Sequence, residues 1–102
     1  SSMISRCSRH ARRFAEGLSA TGYEILNDVV LNQVLVRFGD DDQTRRTIKL
    51  IQDDGTCWAG GTTWRGQHAM RISVSSWATT DDDVAMSLEA MIRCARQATG
   101  KG

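Results

Sequence analysis

The chain has 102 residues, a length that suits one compact domain and is too short for a second hydrophobic core. Hydrophobic residues make up 40% of it and charged residues 25%, which is the composition of a folded globular domain rather than a disordered or fibrous one. The 13 basic and 12 acidic side chains nearly cancel, so charge gives no reason to expect a nucleic acid or a membrane surface as a partner.

The cysteine pattern points to a reducing compartment. Cys7, Cys57 and Cys94 cannot all pair within one chain, and their wide spacing matches no compact disulfide framework. No apolar run approaches the roughly 18 residues of a membrane span, and the first residues lack the apolar core of a signal peptide. We therefore expect a cytoplasmic protein. Residues 1–3 are expected to be an expression remnant or a disordered start, residues 4–99 a single domain, and residues 100–102 a tail.

Residues 4–20 have the spacing of an amphipathic helix. Small and apolar side chains recur every three or four residues and so share one helical stripe. These residues are Cys7, Ala11, Phe14, Ala15 and Leu18. Arginines occupy the opposite face, and Thr21-Gly22 supplies the left-handed stop that a helix end favours. The arginines could contact phosphate, but the cluster is short and lacks interleaved aromatic residues, so a solvated helix face is the preferred interpretation.

A strand and a short helix follow. Residues 29–38, VVLNQVLVRF, are rich in β-branched and aromatic types and predict a largely buried strand. Three aspartates at 40–42 then begin a helix that ends near Ile51, because acidic residues favour the positive end of the helix dipole. Its inward side chains are expected to be Thr44, Ile48 and Ile51. Three aspartates can also bind a metal, but capping explains them and no further carboxylates follow at a calcium-loop spacing.

Residues 56–77, TCWAGGTTWRGQHAMRISVSSW, predict two strands joined as a hairpin. The turn lies either at Gly60-Gly61 or at residues 65–67, Arg-Gly-Gln. We prefer the second position, in which the paired glycines mark a bulge or a close backbone approach. In the last strand one face is apolar and the other carries a cation and hydroxyls. The apolar residues are Met70, Ile72 and Val74, and the polar ones are Arg71, Ser73 and Ser75.

A third helix is predicted from the capping-box pattern at residues 80–83 to about Ala98. Its apolar stripe consists of Val84, Leu88, Met91, Ile92 and Ala95. The element order α-β-α-β-β-α predicts an α+β fold in two layers, with a three-stranded antiparallel sheet and the two long helices on one face. The other sheet face, with Arg71 and a tryptophan from Trp58 or Trp64, is left without a cover.

No local pattern specifies a complete catalytic site. The cysteines and the two histidines lie in no nucleophile motif, and Cys7-x-x-His10 is only half of a zinc site. The stretch AGGTTWRG lacks the lysine and the strand-to-helix switch of a phosphate-binding loop. We therefore interpret the thiols as buried structural groups and expect no metal.

Two stretches carry a resemblance to a known family. VVLNQVLVRFGD, followed by QDDGTCWAGGTTWRGQHAMRISVSSWATTDDDV, resembles the C-terminal small domain of the pyridoxal-phosphate-dependent group II amino-acid decarboxylases, which include glutamate, aromatic-amino-acid and tyrosine decarboxylases. The resemblance covers nearly the whole chain and is most distinctive in WRGQHAMRISVSSWATT. It implies a small domain of the aspartate-aminotransferase fold type.

The resemblance also implies a function. The parent enzyme would be a homodimer that removes carbon dioxide from an amino acid, with this domain forming one wall of the substrate pocket and inactive alone. By resemblance, the cofactor lysine, the aspartate that pairs the pyridine nitrogen and the phosphate-binding residues belong to a large domain of the same chain. Neither Lys49 nor Lys101 matches the lysine motif, so we expect this chain alone to bind no pyridoxal phosphate. Arg71 matches the strand arginine that binds a substrate carboxylate.

Two other functions remain compatible with the sequence. One is a non-enzymatic interaction or regulatory module that shares the ancestry of the enzyme. The other is an aminotransferase or lyase of the same fold type, which would keep the cofactor and change the reaction.

Overall fold

A computed structural model of the chain describes residues 2–26, 33–57, 59–73 and 80–99, with side chains from residue 9 onward. The helices and strands alternate in the manner of an α+β domain. In chain order they are α1 (Ser2–Ala20), β1 (Glu24–Ile25), β2 (Gln33–Arg37), α2 (Asp41–Asp54), β3 (Gly60–Trp64), β4 (Gln67–Ser73) and α3 (Asp81–Ala98). The predicted α+β fold in two layers is therefore confirmed.

The described strands form one antiparallel sheet in the order β1-β2-β4-β3. The prediction of three strands was wrong by one, because β1 has only two residues and is too short to show an alternating pattern. The predicted start of β2 at Val29 lies outside the described residues. The same holds for the predicted continuation of β4 through Val74 and Ser75.

Side chains from all three helices pack against the same face of the sheet. The hydrophobic core joins Val34, Val36, Met70 and Ile72 of that face to buried residues of α1, α2 and α3. The prediction assigned this face to the two long helices alone, but α2 has 14 residues and contacts β3, β4 and α3. Within the described residues, none of the helices combines the length and apolar character that crossing a bilayer requires.

The helix ends follow the signals in the sequence. Asp40 caps α2 by accepting a hydrogen bond from the backbone N–H of Gln43 at 2.8 Å, and Gly55 ends this helix in the left-handed conformation. Thr80 and Asp83 form the predicted capping box at the start of α3. These caps fix where each helix meets the sheet.

Most of the predicted inward residues whose side chains are described are buried. In α1 they are Ala11, Phe14, Ala15 and Leu18, and in α2 they are Thr44, Ile48 and Ile51. In α3 the stripe is confirmed in part: Val84, Met91 and Ala95 are buried, whereas Leu88 and Ile92 are only partly buried. The side chains of Arg6 and Cys7 lie outside the described residues. Arg9 and Arg12 are exposed, as expected of a solvated face.

Candidate functional site

The β3–β4 hairpin sets the register of the site. Its turn lies at Arg65-Gly66, where both residues have positive φ values of 50° and 81° and Trp64 pairs with Gln67. This is the two-residue geometry that matches the twist of paired strands. The preferred turn position is confirmed. Gly60 and Gly61 instead pair with successive residues of β4 without a bulge.

The sheet face opposite the helices is here called the outer face. Because side chains alternate along a strand and directly paired residues share a face, its members follow from the register. They include Leu35 and Arg37 of β2, Gly60, Thr62 and Trp64 of β3, and Ala69, Arg71 and Ser73 of β4. Met70 is fully buried on the inner face, whereas Arg71 is exposed on the outer one, so the predicted alternation is confirmed.

Arg71 occupies the middle of the outer face. It pairs across the strands with Leu35 on one side and with Gly60 on the other. Leu35 is only 9% exposed, whereas a β carbon built on Gly60 would meet no described atom within 4 Å. Arg71 itself is exposed and makes no hydrogen bond or ion pair within the described residues. Its guanidinium is therefore available for a carboxylate, which it can bind through two parallel hydrogen bonds.

Arg37, the neighbouring cation of the outer face, is already engaged. Its side chain is 14% exposed and donates to the Asp41 carboxylate at 2.5 Å and to the His68 carbonyl at 3.0 Å. Asp41 also accepts a hydrogen bond from the backbone N–H of His68 at 3.1 Å. The hydrogen bonds from Arg37 and from His68 hold the pKa of Asp41 below its usual value. Arg37 thus joins β2, α2 and β4, and it is not open to a ligand.

An aromatic side chain borders the outer face, as the sequence predicted. Trp64 is half-buried there, and the Arg65 guanidinium lies 5.4 Å from the centre of its ring. Trp58, the other tryptophan proposed for this face, lies outside the described residues.

The other described nucleophilic and titratable groups form no reactive centre. Burial raises the pKa of the Cys57 and Cys94 thiols, so both are protonated at neutral pH. His10 is 1% exposed, with Nε2 3.2 Å from the Asp81 carboxylate and a buried Nδ1 that has no hydrogen-bond partner among the described residues. The apolar pattern of α1 gave no sign that His10 is buried. Within the described part of the chain, no three histidine, cysteine, aspartate or glutamate side chains lie close enough to hold a metal.

Solved structures share this fold at low sequence identity. Catharanthus roseus tryptophan decarboxylase in complex with L-tryptophan matches 95% of this chain and 22% of its own, with a TM-score of 0.89 and 16% identity. Oryza sativa TDC with PLP and tryptamine matches 94% of this chain and 23% of its own, with a TM-score of 0.85 and 16% identity. The chain has the fold of one domain of pyridoxal-phosphate enzymes. No model of a known protein family matches it, and neither does any curated protein.

The shared fold is not limited to decarboxylases. The 8-amino-7-oxononanoate synthase of Francisella tularensis matches 99% of this chain and 29% of its own, with a TM-score of 0.74 and 13% identity. The chain therefore spans about a quarter of the length of the enzymes whose fold it shares.

The described residues do not fit pyridoxal phosphate by themselves. Lys49 belongs to α2 in the helical layer, where it is 79% exposed and lies 3.7 Å from the Asp53 carboxylate. No lysine occurs among the described residues of the outer face, and Lys101 lies outside the described residues. The described residues of the outer face offer one free guanidinium, which suits a carboxylate group of a ligand better than a whole cofactor.

Proposed function

We propose that the chain is the C-terminal small domain of a pyridoxal-phosphate-dependent amino-acid decarboxylase, and that its outer face forms one wall of the substrate pocket. The observation that carries the proposal is Arg71, an exposed guanidinium with no partner among the described residues, on a sheet face that the described helices leave open. Two further facts support it: the fold is that of tryptophan decarboxylase, and the β3–β4 stretch resembles group II decarboxylases.

Arg71 orients the carboxylate of the amino acid. Its planar guanidinium can form two parallel hydrogen bonds with a carboxylate, which fixes the direction of that group as well as its position. Decarboxylation turns the bound carboxylate into neutral carbon dioxide, so a tight grip would stabilise the substrate more than the transition state. The exposed setting of Arg71, without a buried network around it, fits this looser role. The cofactor and its lysine belong to the large domain of the same enzyme, outside this chain.

The sequence resemblance, and not the fold, is the reason to prefer decarboxylation over the other reactions that enzymes of this fold carry out. The synthase match shows that the same domain serves another reaction, so the fold alone does not select one. The resemblance of WRGQHAMRISVSSWATT to group II decarboxylases favours carbon dioxide release. The non-enzymatic alternative is tested by the gene: several hundred codons before Ile4 with a Ser-x-His-Lys-like motif support the enzyme, and a reading frame that begins near Met3 contradicts it.

Replacement of Arg71 by lysine tests the proposed role in the full-length enzyme. Lysine keeps the charge but cannot form the two parallel hydrogen bonds, so Arg71→Lys should keep the fold and the cofactor while kcat/KM for carbon dioxide release falls tenfold or more, ~1.4 kcal/mol. Arg9→Lys, at an exposed position of α1, is the matched control and should leave kcat/KM unchanged. Unchanged kinetics together with a lowered melting temperature would assign Arg71 to the interface with the large domain instead.

A further inference from the structure

The backbone conformation of β3 does not require a glycine at position 60. Among the described glycines, positive φ values occur at Gly22, Gly39, Gly55 and Gly66, and not at Gly60. Gly60 pairs in regular register with β4, where any residue fits and a β-branched one fits best. A glycine in a strand lowers stability, because it gains freedom in the unfolded chain and packs no side chain. Its presence at position 60 therefore calls for another cause.

At the adjacent position, packing on the inner face explains why the residue is a glycine. A β carbon on Gly61 would lie 3.3 Å from the His68 ring and 3.7 Å from Ile48, so the glycine makes room for the packing of α2 and His68. On the outer face, a β carbon on Gly60 would meet no described atom within 4 Å. No packing among the described residues explains Gly60. Glycine in a strand is also typical of sites where a ligand approaches the backbone closely.

The residue paired with Gly60 is Arg71. Directly paired residues have β carbons about 4.5–5.5 Å apart on the same face, so a side chain at position 60 would stand beside the arginine. On the other side of Arg71 that place is taken by Leu35. Among the described residues, the absence of a side chain at position 60 therefore leaves one flank of the free guanidinium open.

We propose that Gly60 is a positioning residue for the substrate: it keeps open the flank along which the carboxylate reaches Arg71. This inference rests on the proposed function and adds a second residue to the same site. A larger residue at position 60 would stand in the path of the carboxylate and would raise KM, while it would strengthen the strand itself.

The test uses Gly60→Ala and Gly60→Val in the full-length holoenzyme. The rate of carbon dioxide release is measured with whichever of L-tryptophan, L-tyrosine and L-glutamate the wild type decarboxylates fastest. Gly60→Val should raise KM about tenfold or more with a smaller change in kcat, and Gly60→Ala should fall between it and the wild type. The melting temperature should stay constant or rise. Thr63→Val places valine on the opposite face of β3 and should leave KM unchanged.

The outcomes separate this inference from the proposed function. If Gly60→Val leaves KM unchanged while Arg71→Lys lowers kcat/KM, the role of Gly60 is wrong and that of Arg71 stands. If neither variant changes the kinetics, the proposed role of Arg71 is wrong as well. A raised KM in Gly60→Val without any effect of Arg71→Lys would also overturn the inference, because the effect would not pass through the guanidinium. A lowered melting temperature or loss of cofactor at unchanged KM would show that the large domain packs against Gly60.

Discussion

The three consecutive aspartates at the start of α2 do three different things. Asp40 caps the helix through the Gln43 N–H, and Asp42, which is 82% exposed, lies 3.3 Å from Arg45 of the same helix. Asp41 binds Arg37 and the His68 N–H and so connects the helix to two strands. Only Asp41 holds distant parts of the fold together. Surface pairs within one helix, such as Asp42 with Arg45, contribute little.

The role of Asp41 predicts a pH-dependent loss of stability. Its pKa in the folded protein lies below the usual 3.8 because Arg37 and the His68 N–H bind the carboxylate form. The stabilisation is therefore complete above pH 3.8 and is lost as the pH falls through the lower, folded-state pKa. Asp41→Asn should lower the urea midpoint at pH 7, and the difference from the wild type should shrink at pH 3.

Asp42→Asn is the control for this measurement, since it removes the same charge from a position that binds only its own helix. Its urea midpoint should remain close to that of the wild type at both pH values. Equal effects of the two substitutions, or a difference for Asp41→Asn that does not change with pH, would contradict the role given to Asp41.

For single residues, the sequence predicts the features that depend on local geometry, such as the sheet face on which a strand residue lies. The alternation of β4 places Arg71 opposite Met70 and Ile72 without any knowledge of the rest of the fold. The engagement of Arg37 depends on where the loop between β2 and α2 brings Asp41, and on the register with β4. Arg37 and Asp41 are four residues apart, but the contacts with His68 join residues far apart in the chain. For this reason the sequence could not show which of the two arginines is free.

The Arg65-Gly66 turn is the element with the clearest local strain. A non-glycine residue in the left-handed region costs roughly 1–2 kcal/mol, and asparagine reduces that cost because its short polar side chain tolerates the conformation. Arg65 recovers about 0.5–1 kcal/mol at most from its contact with the Trp64 ring. Arg65→Asn should therefore raise the free energy of unfolding by up to about 1 kcal/mol in a urea titration. Arg65→Ala keeps the strain and loses the contact, so it should lower this free energy; a decrease in both variants would contradict the argument.

The elements that the sequence missed or shortened depend on tertiary contacts. β1 exists through its pairing of Glu24 and Ile25 with β2, not through a pattern of its own. The sequence predicted that α2 ends near Ile51, and acidic residues are unfavourable at a helix C-terminus. α2 nevertheless continues to Asp54, whose carboxylate lies 3.0 Å from Arg93 of α3. The Arg-Gly turn of the hairpin was predictable because its signal is contained in the turn residues themselves.

At the scale of the whole molecule, the two sheet faces differ in what covers them. All three helices pack toward the inner face, and the described residues place no helix over the outer one. The chain matches only 22–29% of the length of the solved enzymes with this fold. The sequence predicted the two layers, because strand alternation and helix stripes are local patterns. The open outer face stays a prediction, since Leu35 and Ala69 of that face are buried. The sequence could not show what covers that face, since the covering residues lie outside this chain in our proposal.

In the proposed function the large domain holds the cofactor, so we predict that the chain alone does not bind pyridoxal phosphate specifically. Its two lysines are Lys49, which is exposed and paired with Asp53 in the helical layer, and Lys101 in the terminal residues. A specific site needs a lysine held beside groups that bind the phosphate and the ring, and the described residues of the outer face include no lysine. Titration of the purified chain with pyridoxal phosphate should therefore give no saturable change in visible absorbance at one equivalent, with Lys49→Ala indistinguishable from the wild type. A saturable change at one equivalent that Lys49→Ala abolishes would place a cofactor site in this domain and remove the need for a large domain to hold it.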